Sequence, residues 1–151
     1  MALDRLKAKS RAYIEPIAAI PKALLESEEY AALTAFEVKL LLDLAAQFNG
    51  YTNNGDLGSN WKEMRKRGWR SKETLWNALA GLLSKGFITK TRQGGKNRCS
   101  LYAVNWREIH ECKGKIDVRP GRDYVGRWRK KSVLRQPGNA ATPAVPVGNK
   151  K

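Results

Sequence analysis

SKETLWNALAGLLSKGFI, at residues 71–88, is the stretch that decides the fold. Ser71 is a residue type that commonly caps the N-terminus of a helix, and Gly86 is a common residue just past a C-terminus. Between them, leucines recur at helical spacing on one side, and Trp76 at the edge of that side is predicted to pack with them. The stretch therefore predicts an amphipathic helix that begins after Ser71 and ends before Gly86.

A β-hairpin is predicted directly after this helix. Residues 87–91 and 101–106 have the composition of strands, and they flank the glycine-rich turn QGGKNR at residues 93–98. Gly94 and Gly95 allow the positive φ angles of a tight turn and close approach of the backbone. The segment therefore reads as a helix followed by a β-ribbon.

A second helix is predicted upstream. Thr34-Ala35-Phe36-Glu37 has the spacing of a capping box, in which the threonine oxygen and the glutamate each meet an orphan amide. The helix should end near Phe48, and it is apolar on nearly all sides. It is either a central helix covered on two sides by its own domain or one that also contributes to a dimer interface. The first is favoured because helices that are apolar nearly all round are usually buried.

A turn and a short helix connect these two helices. Asn54-Gly55 is a turn signal that precedes a short strand. Ser59 is predicted to cap a helix that runs through Arg67. Residues 68–70 then supply a sharp turn, with Trp69 filling the angle between two helices.

The ends of the chain carry weaker signals. Residues up to Leu33 are predicted to form a lead-in, and residues 107–115 a short closing helix. From Pro137 the composition cannot bury enough surface to fold. The predicted organisation is a mobile arm at 1–12, a domain at 13–116, a basic arm at 117–136 and a disordered tail at 137–151. The lead-in side chains predicted to pack against the domain are Ile17, Ile20, Leu24, Leu25 and Tyr30.

The net positive charge lies entirely in the second part of the chain. Residues 1–57 carry six basic and eight acidic side chains, whereas residues 58–151 carry 23 and six, for a net charge of +15. A field so one-sided favours a polyanionic partner, because basic side chains that neutralise phosphates release condensed counterions. Charge alone does not separate nucleic acid from an anionic membrane surface.

Catalytic and metal sites are not predicted. Cys99, Cys112 and the single histidine, His110, lack the four-ligand spacing of structural zinc, and no nucleophile and base arrangement stands out. No apolar run approaches the roughly 20 residues of a transmembrane helix, and the N-terminus lacks the apolar core of a secretory signal. We therefore expect a cytoplasmic protein with reduced thiols, no cofactor, no small-molecule ligand, no membrane contact and no enzymatic activity.

The polar side of the helix after Ser71 suits insertion into a major groove about 12 Å wide, since its side chains are short. Asn77 can pair with adenine, and Arg70 or Lys72 can reach guanine or phosphate. Ser71 and Thr74 can hydrogen-bond phosphates beside the positive end of the helix dipole. The alternative is a face that is only solvated.

Two further basic segments extend the predicted interface. Arg92, Lys96 and Arg98 place charge around the hairpin turn, where it can meet a minor groove or phosphates. Residues 119–135 form either a flexible arm that tracks phosphates or a charged run whose aromatic side chains, such as Trp128, pack back on the domain. The predicted DNA contacts are Arg65, Lys66, Arg67, Arg70, Ser71, Lys72, Thr74, Asn77, Arg92, Lys96, Asn97, Arg98, Arg127, Arg129 and Lys130.

The order of motifs between residues 71 and 104 carries a family resemblance. The motifs are Ser71-Lys72-Glu73-Thr74-Leu75, Ala78-Leu79, Leu82, Gly86-Phe87-Ile88, the basic Gly94-Gly95 turn and Leu101-Tyr102-Ala103-Val104. They resemble the pattern of bacterial winged helix-turn-helix DNA-binding proteins, which include regulators and the replication-associated proteins of phages and plasmids.

The resemblance covers residues 34–106 and implies an α+β, mainly α fold with a three-helix core and a β-hairpin wing. It implies binding to double-stranded DNA, often as a homodimer. The sequence departs from the pattern at Asn77, where many regulators carry arginine, and this departure concerns the base preference. We expect a transcriptional regulator associated with the bacterial nucleoid. The alternatives are a phage or plasmid protein for replication initiation or maintenance that binds origin repeats, and a protein-interaction or RNA-binding module.

Overall fold

The structure, a computed structural model, describes residues 15–129 as an α+β fold of five helices and a three-stranded antiparallel sheet. This confirms the predicted α+β class. The predicted arm at 1–12, Lys130 and the predicted tail at 137–151 lie outside the described residues. The elements in chain order are α1 (Lys22–Leu25), α2 (Glu28–Ala31), α3 (Ala35–Gln47), β1 (Leu57–Gly58), α4 (Trp61–Lys66), α5 (Lys72–Ser84), β2 (Ile88–Arg92) and β3 (Leu101–Val104), followed by 3-10 turns at Cys112–Gly114 and Arg127–Arg129.

Helix α3 begins with the predicted capping box. The Thr34 hydroxyl accepts a hydrogen bond from the Glu37 N–H over 3.2 Å, and the Glu37 carboxylate accepts one from the Thr34 N–H over 2.8 Å. Three leucines of the helix are buried, whereas Phe36 and Leu42 are 55% and 49% exposed. The interpretation of α3 as a helix covered on two sides is wrong at these two positions, since about half of each side chain is exposed, although the Phe36 ring lies 5.8 Å from the Trp69 ring, centroid to centroid.

A buried carboxylate joins α3 to α5. Glu37 is almost fully buried, and the Lys85 Nζ donates a hydrogen bond to it over 2.7 Å. Burial acts to raise the pKa of Glu37, but the hydrogen bonds from Lys85 and Thr34 outweigh it and lower the pKa below its usual value. A Cβ added to Gly81 of α5 would overlap this carboxylate, whose Cδ would lie 2.8 Å away. The cap of α3 is therefore also a contact between two helices.

Gly81→Ala is expected to destabilise the domain by about 1–3 kcal/mol, the usual cost of overpacking a well-filled site. Helix propensity alone predicts the opposite, because alanine is favoured over glycine inside a helix by about 1 kcal/mol. The cost of the overlap should exceed the gain in helix propensity, since Thr34 and Lys85 hold the Glu37 side chain in place. Urea denaturation followed by circular dichroism measures the difference.

The matched control is Ala80→Gly, which changes an exposed neighbour on the same helix and should cost only the propensity term of about 1 kcal/mol. In a Glu37→Ala background the overlap is gone, and Gly81→Ala should become neutral or stabilising. A gain in stability from Gly81→Ala in the wild-type background would show that the two helices do not meet at this carboxylate.

Helix α4 starts one residue later than predicted. Asn60, and not Ser59, is its N-cap, because the Asn60 side-chain oxygen accepts a hydrogen bond from the Glu63 N–H over 3.1 Å. The prediction for Trp69 is confirmed, since its indole is buried in the turn after α4. The indole N–H donates to the Asp43 carboxylate of α3 over 2.7 Å, which ties the turn to the central helix.

Helix α5 and the hairpin form where the sequence predicts them. The Ser71 hydroxyl accepts a hydrogen bond from the Thr74 N–H over 3.3 Å, and Gly86 follows the helix with a φ of +82°. The sheet order is β1-β3-β2, with Leu57 opposite Tyr102 in an antiparallel register. The predicted short strand thus pairs with the second strand of the hairpin.

A buried asparagine organises the chain after β3. The Asn54 amide nitrogen donates to the carbonyls of Val104, Arg107 and Glu108 over 2.9–3.2 Å, and its oxygen accepts from the Val104 N–H over 2.8 Å. The segment that follows is irregular except for the 3-10 turn at Cys112–Gly114, so the predicted helix at 107–115 is wrong. Its first carbonyls are satisfied by Asn54 instead of by a helical ladder.

The C-terminal part of the described chain belongs to the domain. Trp128 is 3% exposed and stacks on Phe87, with the ring centroids 6.2 Å apart. The Gly126 N–H donates to the Asn105 carbonyl over 2.8 Å. The boundary predicted at residue 116 is therefore too early, and over residues 117–129 the alternative in which Trp128 packs back on the domain is the observed one.

The lead-in packs against the domain through fewer side chains than predicted. Leu24 is fully buried, and Ile20 and Tyr30 pack against the core. Ile17 and Leu25 are exposed, so the prediction is wrong for them. A helix as short as α1 can turn only one side toward the core. Across residues 15–129, no helix is long and apolar enough to cross a bilayer.

Candidate nucleic-acid interface

Helix α5 has one buried and one exposed side. Leu75, Ala78 and Leu82 are buried in the core. The side chains on the opposite side are all exposed and lie three or four residues apart, so they form one continuous face. This exposed face of α5 consists of Lys72, Glu73, Trp76, Asn77, Ala80 and Ser84.

Unpaired cations lie at the N-terminal end of this face. Arg70 and Lys72 are exposed, and within residues 15–129 neither takes part in an ion pair. The Ser71 hydroxyl is already engaged as the cap, through the Thr74 N–H. The cap, the helix dipole and two free cations together make this end attractive to anions.

The predicted basic cluster on α4 divides into free and paired charges. Lys66 lies 3.4 Å from the Glu63 carboxylate, and Arg67 lies 3.5 Å from Asp43. Arg65 is exposed and has no ion-pair partner in the described part of the chain. Of the three, Arg65 can therefore bind a phosphate without giving up an existing contact.

The hairpin divides in the same way. The Arg92 guanidinium donates two hydrogen bonds, of 3.0 and 2.7 Å, to the Cys99 carbonyl and so clamps the two strands together. The Arg98 guanidinium lies 3.2–3.3 Å from both carboxylate oxygens of Asp117. Lys96 is exposed at the tip and forms no ion pair with any described residue. Among these three, Lys96 is the one with neither an ion pair nor a side-chain hydrogen bond in the described part of the chain, since Arg92 is held by a neutral carbonyl and Arg98 by a carboxylate.

The turn of the hairpin uses its residues differently from the prediction. Gly94 and Gly95 do not have positive φ angles, whereas Asn97 does, at 59°. Asparagine tolerates this conformation better than most residues. The other predicted role, close approach of the backbone, is confirmed at Gly94, since an added Cβ would lie 2.6 Å from the Ser100 backbone nitrogen. The glycine thus permits close approach of the two strands.

Two predicted contacts lie away from the others. Arg127 stacks on the Tyr124 ring at 4.1 Å and Arg129 on the Trp128 ring at 4.3 Å. A Cβ on Gly86 would meet the Arg127 carbonyl at 2.6 Å, which places this segment at the C-terminal end of α5. Because α5 is about 20 Å long, these arginines are far from the cations at its N-terminal end.

Trp76 is the residue that the sequence misassigned. Its side chain is 60% exposed, so the prediction that it packs in the core is wrong. Leu75 and Leu82 are buried, whereas the indole lies outside the core. Helical spacing gave the only signal, because Trp76 lies at the edge of the leucine side, next to the polar side.

The histidine and the cysteines do not form a reactive site. The His110 Nδ1 accepts a hydrogen bond from the Asn54 N–H over 3.1 Å, which occupies a lone pair that a metal would need. Burial raises the pKa of the Cys112 thiol, which keeps it protonated. Cys99 is exposed and unbonded to Cys112. Among residues 15–129, no group of His, Cys, Asp and Glu has the geometry to hold a metal ion.

No protein-family model, curated protein or solved structure matches this chain. Its function must therefore be inferred from its own residues. The strongest feature is the exposed face of α5 with the uncompensated cations beside it.

Proposed function

We propose that this chain is a winged helix-turn-helix protein that binds double-stranded DNA, with α5 in the major groove and the β2–β3 hairpin as the wing. The observation that carries the proposal is the uncompensated charge of Arg70, Lys72 and Lys96 around the exposed face of α5. Cations without acidic partners can neutralise phosphates and release counterions at no cost in lost ion pairs.

The order of the elements supports the same proposal. Helices α3, α4 and α5 are followed by a hairpin, and β1 adds the third strand to it. An α-helix with its side chains is 10–12 Å wide in general, and the major groove has a similar width. A helix that carries short side chains toward the groove can bring its N-terminal turns to the base edges.

The proposed contacts differ in whether the side chain already has an interaction within the domain. Asn77 is proposed to contact a base, while Arg65, Arg70, Lys72 and Lys96 contact phosphates or guanine. Lys66, Arg67, Arg92 and Arg98 would have to share or exchange an existing interaction within the domain. Ser71 and Thr74 can still donate their hydroxyl protons to a phosphate, since the bond between them uses the Ser71 oxygen as acceptor and the Thr74 backbone N–H as donor.

The biological role proposed is regulation of transcription on the bacterial nucleoid, by a homodimer that places two α5 helices in successive major grooves. Replication initiation or maintenance of a phage or plasmid is the alternative use of the same contacts. The two roles differ in whether the bound sites overlap promoters or form repeats at an origin, which mapping of the sites on DNA distinguishes.

Asn77→Ala and Lys96→Ala are expected to affect DNA binding in different ways. A duplex selected from a random library should lose about 1–3 kcal/mol of specificity against competitor DNA when Asn77 is removed, because a base contact is lost. Removal of Lys96 should weaken binding to all sequences alike. It should also reduce the salt slope, which is the slope of the logarithm of the binding constant against the logarithm of the salt concentration, by the amount expected for about one phosphate contact. Fluorescence anisotropy over a salt series measures both quantities.

Lys22→Ala is the control, since it removes the same charge from α1, where the lysine is almost fully exposed and outside the proposed interface. It should leave the affinity and the salt slope within error of the wild type. Identical specificity of Asn77→Ala and wild type would contradict the assignment of α5 to the groove.

A second candidate function is a protein-interaction module. It is favoured by Phe36 and Leu42, which expose apolar surface on α3. The apolar pattern of this helix is also compatible with a dimer interface. This function predicts no preference for any duplex over competitor DNA. The same selection experiment therefore separates the two candidates.

A further inference from the structure

The exposed face of α5 carries one large apolar side chain. Trp76 is 60% exposed, whereas the other four tryptophans of the chain are buried or partly buried. Exposed apolar surface of this size is unfavourable in water, and when charged groups surround it, it commonly marks a contact surface. We therefore expect the binding partner of this face, called the occupant below, to cover the indole.

The neighbours of Trp76 define the chemistry of that occupant. Ala80 lies one helical turn after Trp76, and Asn77 lies next to both of them on the exposed face. An amide that both donates and accepts hydrogen bonds is thus flanked on one side by apolar surface. Glu73 is the single acidic side chain of α5.

The charges around this face define the outer part of the occupant. Arg70 and Lys72 at the N-terminal end carry charge that no described carboxylate compensates. Charge complementarity therefore requires negative groups at the border of the occupant, with apolar groups and an amide partner at its centre. A single-stranded nucleic acid held by stacking would instead meet several exposed aromatic rings, and Trp76 is alone on this face.

The major groove at A·T base pairs has this composition. Phosphates border the groove, adenine offers the donor and acceptor pair that asparagine matches, and the thymine C5-methyl is the apolar group on the base edges. We propose that α5 reads A·T base pairs, with Asn77 on adenine and with Trp76 and Ala80 against thymine methyl groups. This inference rests on the proposed function, and it names the base pairs that the face selects.

Replacing thymine by deoxyuridine in the selected duplex tests the inference, because it removes only the methyl group. Wild-type protein should bind the deoxyuridine duplex about fourfold more weakly for each methyl in contact, the factor expected for uncovering one methyl-sized apolar group. Trp76→Ala should bind the thymine duplex more weakly than wild type and should lose most of the difference between the two duplexes.

Two controls keep the result interpretable. Trp76→Ala should keep the unfolding midpoint of the wild type, since the side chain is exposed. Asn77→Ala should lose specificity for adenine but retain the difference between thymine and deoxyuridine. A deoxyuridine effect of undiminished size in Trp76→Ala would overturn the assignment of the methyl contact to this indole.

The remaining outcomes separate this inference from the proposed function. Tight and selective duplex binding with no deoxyuridine effect would refute the inference and leave DNA binding intact. Absence of binding to any duplex would refute both. Conversion of a dimer to a monomer by Trp76→Ala in sedimentation experiments, with no deoxyuridine effect, would assign the indole to contact with a second copy of the chain and overturn the inference.

Discussion

Trp128→Ala is expected to destabilise the domain by about 3–5 kcal/mol, the usual cost of removing a large buried aromatic side chain. Trp128 is 3% exposed and stacks on Phe87 at the base of the hairpin. Since small domains are stabilised by only about 5–15 kcal/mol, this one change should remove a large share of the total. Equilibrium unfolding in urea, followed by tryptophan fluorescence and circular dichroism, measures the loss.

Trp76→Ala is the matched control for this prediction, because it removes the same side chain from an exposed position on α5. Its effect should stay within about 0.5 kcal/mol. A chain that ends at Ile116 should be destabilised more than Trp128→Ala, since it also loses the pairing of Ile109 with Gly121. If Trp128→Ala unfolds at the same urea concentration as wild type, residues 117–129 are not part of the core.

Asn54→Ala is expected to cost about 3 kcal/mol or more. The side chain is fully buried and makes four hydrogen bonds to the backbone of residues 104–108. Its removal leaves the Val104 N–H and several carbonyls without partners, and each buried unsatisfied group costs about 1–3 kcal/mol. Thermal and urea unfolding measure the loss, and amide exchange should show it first at Val104.

Asn77→Ala serves as the control for this prediction, because it removes the same amide from the exposed face of α5. It should leave stability unchanged or slightly higher, since alanine favours the helix. Equal stability of the Asn54 and Asn77 variants would mean that the backbone after β3 does not depend on the buried amide.

These results would also bear on the proposed interface. Asn54 fixes the backbone after β3, and Trp128 packs at the base of the hairpin. Both strands of the hairpin are therefore held at its base, β2 through the adjoining Phe87 by Trp128 and β3 through Val104 by Asn54, and this positions the tip residue Lys96 relative to α5. Loss of either support should weaken DNA binding because Lys96 is displaced relative to α5, although no charge is removed.

Local signals were sufficient to predict much of the fold. The capping box at Thr34, the cap at Ser71 and the glycine after α5 each act through backbone groups within four residues, so the sequence reports them directly. Where two neighbouring residues could both act as the cap, the predicted start of the helix was wrong by one residue. Asn60 displaced Ser59 as a cap because both are capping residues and only one can meet the Glu63 amide.

The sequence by itself determined the order of elements from α3 to β3, the helix caps of α3 and α5 and the region that carries the net positive charge. Tertiary structure alone decided which cations are compensated, as Arg98 is by Asp117, and which remain free, as Lys96 does. It also decided that Asn54 and Trp128 are buried and that Trp76 is exposed. The physical reason is distance along the chain: caps and periodicity act over one or two turns, whereas the partners of Asn54 and Trp128 lie about 50 and 41 residues away.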